Sequence, residues 1–461
     1  MAAGVAVVAL IAVVVAALAM GGGGGSETAA PVSTATSTAT ATPSNTPPTT
    51  LDASPTPIKH AGILDGVPMT DAEWGARKDQ LPLAVMVDNT ASSVPHAGLN
   101  RADLVYEAFV EGGITRLMAV YWRQDAEKIM PVRSARTPFV NWVSELGAMY
   151  GHAGGATTDN EANAVGQIFE YGIRDLNAFS PVSSNYYYRD HDRNEPYNLA
   201  TSTGYLREAA AQLGYAGPPA VTPWVFREPG ATLPPGAPAG GLEIDYSGRL
   251  YAWQYIQWKW DATAKRYLRF QFGGPEVDAE TGEQLAFGTV VVMRVPSHVV
   301  DASGHVILDQ FGEGPATVFT GGQAYEGAWK KDSRTAHTSF VTARGEAIVF
   351  ERGPIFIQVI GTESTFDYVA KPDELRTLPE YEPPPPGVFP EPGDETPPPP
   401  TDTPTAVVTP TPRVTRTVAP SATSPASPAP SGTGSPAASA TPPIPAGTVS
   451  PVASAPVTVS H

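Results

Sequence analysis
The 461-residue sequence predicts an α/β fold: a layered α/β N-terminal domain, then a mostly β C-terminal domain, flanked by disordered Pro/Thr/Ser-rich segments. Three observations predict it. Short apolar runs alternate with capped helical patterns over residues 58–215. Aromatic-rich strand patterns separated by glycine turns fill residues 242–362. The 49 prolines and 44 glycines, too many for one compact body, crowd the two ends and a seam at 216–241.

Met1–Met20 is an uncharged apolar run of about the length that crosses a bilayer as a helix. It predicts a signal anchor; Ala17-Leu18-Ala19 resembles a small-residue cleavage site, so secretion after cleavage is the alternative. Either way the folded part is expected to be extracytoplasmic, facing the cell surface. The linker 21–57 holds only Glu27 and Asp52 as charges, and the tail 363–461 contains runs such as Pro397–Pro400. Such segments bury too little apolar area to offset their ordering entropy, so both are expected to be extended. A glycosylated stalk is the other use of this composition.

In the α/β region, Leu83–Val87 is an apolar run ending in Asp88-Asn89, which suits a strand buried on both faces. Ile114–Trp122 follows the turn Gly112-Gly113, Lys128–Val132 reads as a third strand and Ala148–Tyr150 as a fourth. Thr137 with Pro138 opens a helix that Gly147 closes. Thr158 or Asp159 opens another, running to Gly172, and Thr203–Leu213 is a third. In the β region the strand-like runs are Leu250–Trp260, Tyr267–Phe272, Thr289–Val295, His305–Leu308, Ala316–Phe319 and Ala347–Phe350. Tyr251, Trp253, Tyr255, Trp258 and Trp260 have two readings, a sugar-stacking platform or core packing.

Ligands of layered α/β sheets sit beyond the carboxyl ends of the strands. Asp88 ends the first strand, Arg133 and Arg136 follow the third, and His152 follows the fourth among glycines. With Arg116 these make the candidate ligand-binding set. Arginines at the start of a helix suit a phosphate or carboxylate; pairing with Asp103, Glu107 or Glu111 is the competing role. Those three acids form a secondary cluster, read as a solvated face, as arginine partners or, with Asp88, as ligands of a hard cation. The sequence contains no P-loop, paired-histidine zinc signature or Ser-His-Asp motif, so no metal and no cofactor is implied. With no cysteine there is no disulfide framework, thiol chemistry or lipidated cysteine. The net charge is −17 overall, and −11 over residues 58–379 once the terminal charges are removed, which argues against nucleic acid as a partner.

The segments AVMVDN, GLNRADLVYEAFVEGGITRLMAVY, PVRSAR and HAGG resemble the YerB-like family of bacterial envelope lipoproteins, a family of unknown function. The similarity spans about residues 75–362. This chain departs from the pattern in lacking the anchoring cysteine and in placing Tyr197 where the family pattern implies a histidine. A fainter resemblance, in the order of Asp103, Val132–Arg136 and Ala162–Tyr171, is to the LytR-CpsA-Psr phosphotransferases. Two functions are therefore expected. One is a membrane-anchored envelope module binding an anionic, glycan or lipid-linked ligand such as peptidoglycan precursor, or an envelope partner. The other is a phosphotransferase or hydrolase acting on a polyprenyl-phosphate-linked substrate, with Asp88 or Asp103 as metal ligand or base. Convergence of Asp88, Arg116, Arg133, Arg136 and His152 on one cleft favours the enzyme reading, and scattered positions favour a scaffold.

Overall fold
The computed structural model describes residues 57–247 and 254–380; the predicted anchor, nearly all of the linker, and the tail beyond 380 lie outside the described residues. Four helices and many strands build an α/β fold whose C-terminal part is mostly β, as the sequence predicts. The strands β1 (Leu83–Asp88), β2 (Leu104–Phe109), β3 (Thr115–Tyr121), β4 (Met149–His152) and β5 (Arg174–Asn177) lie in the order β2-β3-β1-β4-β5. β4 runs parallel to β1 and to β5, whereas β3 is antiparallel to both β1 and β2. Beyond β2 the same sheet continues through Ile355–Ile360, Thr289–Arg294, Gly312–Thr320, Gln323–Lys331 and Ser339–Thr342, giving eleven strands with the short Ala237–Pro238. One sheet thus joins strands from both halves of the sequence, through the parallel pairing of β2 with Ile355–Ile360.

Helices cover this sheet because their apolar residues recur at helical spacing. The helices are α1 (Asp71–Arg77), α2 (Thr137–Leu146), α3 (Ala164–Glu170) and α4 (Thr203–Gln212). α2 buries Phe139, Trp142 and Leu146 against Leu104, Tyr106 and Met118 on one face of the sheet, with Trp142 stacked on Tyr106 at 4.6 Å. Gly147 ends it in the left-handed conformation, φ 55°, where a side chain would be strained. The opposite face, carrying Val85, Val105 and Leu117, packs against Leu206 and Ala209 of α4 and against a second sheet. That second sheet is antiparallel, ordered Gly274–Pro275, Arg266–Gln271, Tyr255–Asp261, Gly241–Asp245 and Thr365–Val369. Its last strand lies beyond residue 362, so regular structure continues into what the composition assigns to the tail.

Several local expectations shift. Lys128–Val132 makes only isolated bridges, to Thr201, Ala97 and Val87, because Pro131 has no N–H for a ladder. Ala347–Phe350 likewise makes only bridges. The helix α3 starts at Ala164, capped by Asn163 rather than by Thr158 or Asp159. Arg136, not Thr137, occupies the cap position of α2. Trp258 is wholly buried between Phe287 and Phe356, and Tyr255 donates to Glu243, so these two rings belong to the core; Tyr251 and Trp253 lie outside the described residues. Among the described residues no helix is long and apolar enough to cross a membrane.

A buried chain of charges ties the two sheets together. Arg269, on the second sheet, forms an ion pair with Glu107 of β2 at 2.9 Å and another with Glu276. Glu276 in turn faces His96 Nδ1 at 2.7 Å, and His96 Nε2 meets the Asp88 carbonyl oxygen at 2.7 Å. Arg269 and His96 are fully enclosed, as is Glu107. Replacing Arg269 with Met leaves two carboxylates buried without their counter-ion. The expected loss is about 3–5 kcal/mol in chemical denaturation; a change under about 1 kcal/mol contradicts this account of the sheet–sheet contact.

Candidate functional site
The predicted ligand-binding residues meet at the carboxyl end of β1. The β1–β3 register places Asp88 opposite Arg116, and Arg133 Nε donates to Asp88 Oδ2 at 2.7 Å. Arg116 donates to the Ser134 carbonyl oxygen at 2.9 Å and to Glu111 at 3.1 Å. Arg136 grips the same Glu111 with two parallel bonds, the Nε one at 2.6 Å. His152, at the end of the neighbouring strand, joins the cluster through its own loop: Ala153 N donates to the Arg133 carbonyl oxygen and Ser134 Oγ to that of Ala153, both at 2.9 Å. All five predicted residues are therefore neighbours, and Glu111 belongs with them.

The arrangement has more positive than negative charge. Three guanidinium groups face two carboxylates, Asp88 and Glu111. Arg116 is nearly enclosed, and nearby Arg136 and Arg133 add like charge to its desolvation, so its pKa is lowered, mainly by burial. Burial pushes the Glu111 carboxyl up, but Arg116 and Arg136 outweigh it and hold it at about 2. Arg133 is the accessible member: its side chain is 23% exposed while that of Asp88 is 0% exposed. It donates through Nε, and its guanidinium carbon lies 5.3 Å from the centre of the Tyr197 ring. Burial, then Asp88, pushes the Tyr197 hydroxyl pKa up.

The bases in the cluster are committed. His152 Nε2 meets Asp175 at 2.8 Å and Nδ1 meets the Gly154 carbonyl oxygen at 2.7 Å. Two of the backbone N–H groups beside the arginines are bonded within the protein: Arg133 N donates to Met86 O and Ala135 N to Gly154 O. The site offers guanidinium donors and an aromatic face.

The acidic trio does not form a cluster. Asp103 lies at the opposite end of β2 from Glu111, where it accepts from Trp122 N and Arg123 N at 2.7 and 2.6 Å. Burial, with Asp65 alongside, pushes its carboxyl up to about 7. Glu107 sits mid-strand, accepting from Asn89 and Thr115 and pairing with Arg269. A strand rises about 3.3 Å per residue, which spreads spacing-of-four positions along the sheet instead of gathering them on one helical stripe.

Sequence reasoning missed the contributions of Tyr197 and Asp175 to this site. Tyr197 was visible only as a departure from a family pattern; Asp175 lies on β5, whose short polar pattern RDLN carries no strand periodicity. The sequence also gave no sign of Ser93, His96 and Glu276 lying in the order of a serine triad, with Ser93 Oγ 3.1 Å from His96 Nε2. Ser93 and His96 are sealed from solvent, and Ser93 Oγ donates to the Thr90 carbonyl oxygen. His96 and Glu276 belong to the buried chain that joins the two sheets.

This fold, two sheets joined around a buried ion chain with an arginine cluster at one sheet end, defines a two-part α/β protein. Residues 66–216 match the N-terminal domain, and 242–357 the C-terminal domain, of a family described as protein of unknown function (DUF3048). The two matches together take in more than half of the chain, which belongs to this YerB-like family. The chain is 29% identical over 253 residues to the candidate lipoprotein YerB of Bacillus subtilis (strain 168), covering 55% of this chain and 74% of that protein. The crystal structure of the YerB protein from Bacillus subtilis shares the fold, with a TM-score of 0.58 at 24% identity, over 67% of this chain and 100% of that one.

The depressed Glu111 carboxyl generates a pH prediction. Its folded value of about 2 lies below the ordinary 4.5, so its contribution to stability is complete above about 4.5 and disappears as pH falls toward 2. Glu111→Gln should therefore be less stable than the parent at pH 7, with the gap closing between pH 4.5 and 2. Denaturant midpoints measured at pH 7, 4 and 2.5 test it; a gap of constant size would show that Glu111 acts by shape and not by charge.

Proposed function
We propose that this chain is an extracytoplasmic cell-envelope protein, held at the membrane by residues 1–20, that binds an anionic group of a glycan or lipid-linked ligand at the Arg133 cluster. The single observation that carries the binding reading is the charge imbalance at the end of β1. Three arginines share two carboxylates, and the arginine nearest solvent uses Nε for Asp88 while its side chain remains 23% exposed. Among the described residues its two terminal nitrogens make no hydrogen bond, so they are available to an oxyanion, with Tyr197 flanking them.

The envelope reading draws on two further facts. A relative carries the name of a candidate lipoprotein, and residues 1–20 of this chain are an uncharged apolar run. Peptidoglycan and its lipid-linked precursors are the anionic partners that such a location offers. The nearness of the five residues counts toward the phosphotransferase or hydrolase reading, but their side chains support it less than they support binding. That reading needs a base or metal ligand beside the arginines, whereas Asp88, Glu111 and His152 already hold neighbours and Asp103 lies at the far end of β2.

Binding of a short-chain polyprenyl phosphate in detergent to the full chain tests the site. Arg133→Ala should weaken it by about tenfold or more, the scale of a lost charged hydrogen bond, and Arg133→Lys should restore only part. Arg344→Ala, at an exposed position, is the control. Undiminished affinity in Arg133→Ala, together with a loss of stability of about 3–5 kcal/mol, would mean that Arg133 serves only to neutralise Asp88.

A further inference from the structure
A second cationic feature lies at the other end of the sheet. Arg174 opens β5 level with Met149 and Leu83, whereas Asp88 and His152 close their strands. There a cleft of about 140 Å³ is lined by Val143, Ser144, Tyr171, Arg174, Arg334 and Thr335, with no acidic residue among its lining. This volume is below the roughly 300–1,000 Å³ of sites that enclose a whole small molecule, so it suits one polar group of a ligand.

Its two arginines differ from those of the β1 site. Arg116, Arg133 and Arg136 each face a carboxylate, but neither Arg174 nor Arg334 forms an ion pair among the described residues. Arg174 makes one long bond, 3.3 Å, to the carbonyl oxygen of Gly147 at the end of α2. The Arg334 guanidinium lies over the Tyr171 ring, 3.6 Å from guanidinium carbon to ring centre, and its enclosed Nε makes no hydrogen bond among the described residues. Stacking occupies a guanidinium's face and leaves its in-plane N–H groups for an acceptor.

The wall carrying Arg334 is fixed in place. Lys331, buried, pairs with Glu145 of α2 and donates to the Ala336 carbonyl oxygen at 2.6 Å. Thr338 N donates to Glu145 at 2.6 Å, and Trp224 Nε1 donates to the Thr338 carbonyl oxygen at 2.9 Å. The turn between Lys331 and Thr338 is thus pinned at both ends, which lowers the ordering cost of bringing Arg334 to a ligand. In a chain of net charge −17, two fixed arginines without carboxylate partners, lining one cleft, are an unbalanced local field.

We propose that this cleft binds a small oxyanion, a phosphate or carboxylate group of a larger molecule, between Arg174 and Arg334. The site is independent of the Arg133 cluster. Isothermal titration calorimetry of the full chain in detergent, at constant ionic strength, with inorganic phosphate and separately with acetate, tests it. Arg174→Gln and Arg334→Gln together should abolish a binding event that Arg133→Ala retains, and either alone should weaken it by about tenfold or more. Whichever anion binds more tightly identifies the source of the group, and both orders support the site. An unchanged titration in the folded double variant overturns it. Should that variant fail to fold, Arg334→Lys keeps the charge and loses the planar stack; unaltered affinity there overturns the proposal equally.

Discussion
Arg269 carries a full charge into a fully buried position between two sheets, and much of the architecture answers to that fact. Burial alone would lower its pKa, but Glu107 and Glu276 outweigh burial and push it up instead. Burial likewise pushes Glu276 up, and Arg269 and then His96 overcome it, holding the carboxyl at about 2. Each ion is tolerable only because the next is in place. Since Glu107 and His96 come from the first half of the chain and Arg269 and Glu276 from the second, neither half can bury its members alone.

The same chain of charges sets the floor of the candidate site. His96 holds the carbonyl of Asp88, and Glu107 holds the side chain of Asn89, so the end of β1 is gripped from behind. The side chain of Asp88 there accepts from Arg133 Nε. Precise placement of an arginine for an external anion needs support of this kind from rigid elements. Around it lie the apolar cores on the two faces of the large sheet, with Trp122, Trp142 and Trp329 buried on one side and Trp258 on the other.

Much of the first region was legible locally. β1, β3 and the helices at Thr137–Leu146 and Thr203–Gln212 follow from unbroken apolar runs and from Pro and Gly at helix ends, signals that act within a few residues. Placing Asp88, Arg133, Arg136 and His152 near one another followed from where strands end. The strand Ile355–Ile360 escaped notice although it is wholly buried, because IFIQVI is short and is flanked by no helical pattern. Gln323–Lys331 escaped because its polar residues face partners and solvent alternately with glycine and alanine, which blurs period-two alternation.

The sequence by itself determined the fold class and the family, and it marked the polar residues that end β1 and β4. Those properties rest on composition, on periodicity and on residues close together along the chain. Only the tertiary structure decided which carboxylate neutralises which arginine: Glu111 for Arg116 and Arg136, Asp88 for Arg133, Glu107 for Arg269, and none among the described residues for Arg174 and Arg334. Charge pairing depends on distance in space, and the parallel pairing of β2 with Ile355–Ile360 brings together groups that lie far apart in the chain. No local pattern encodes that register.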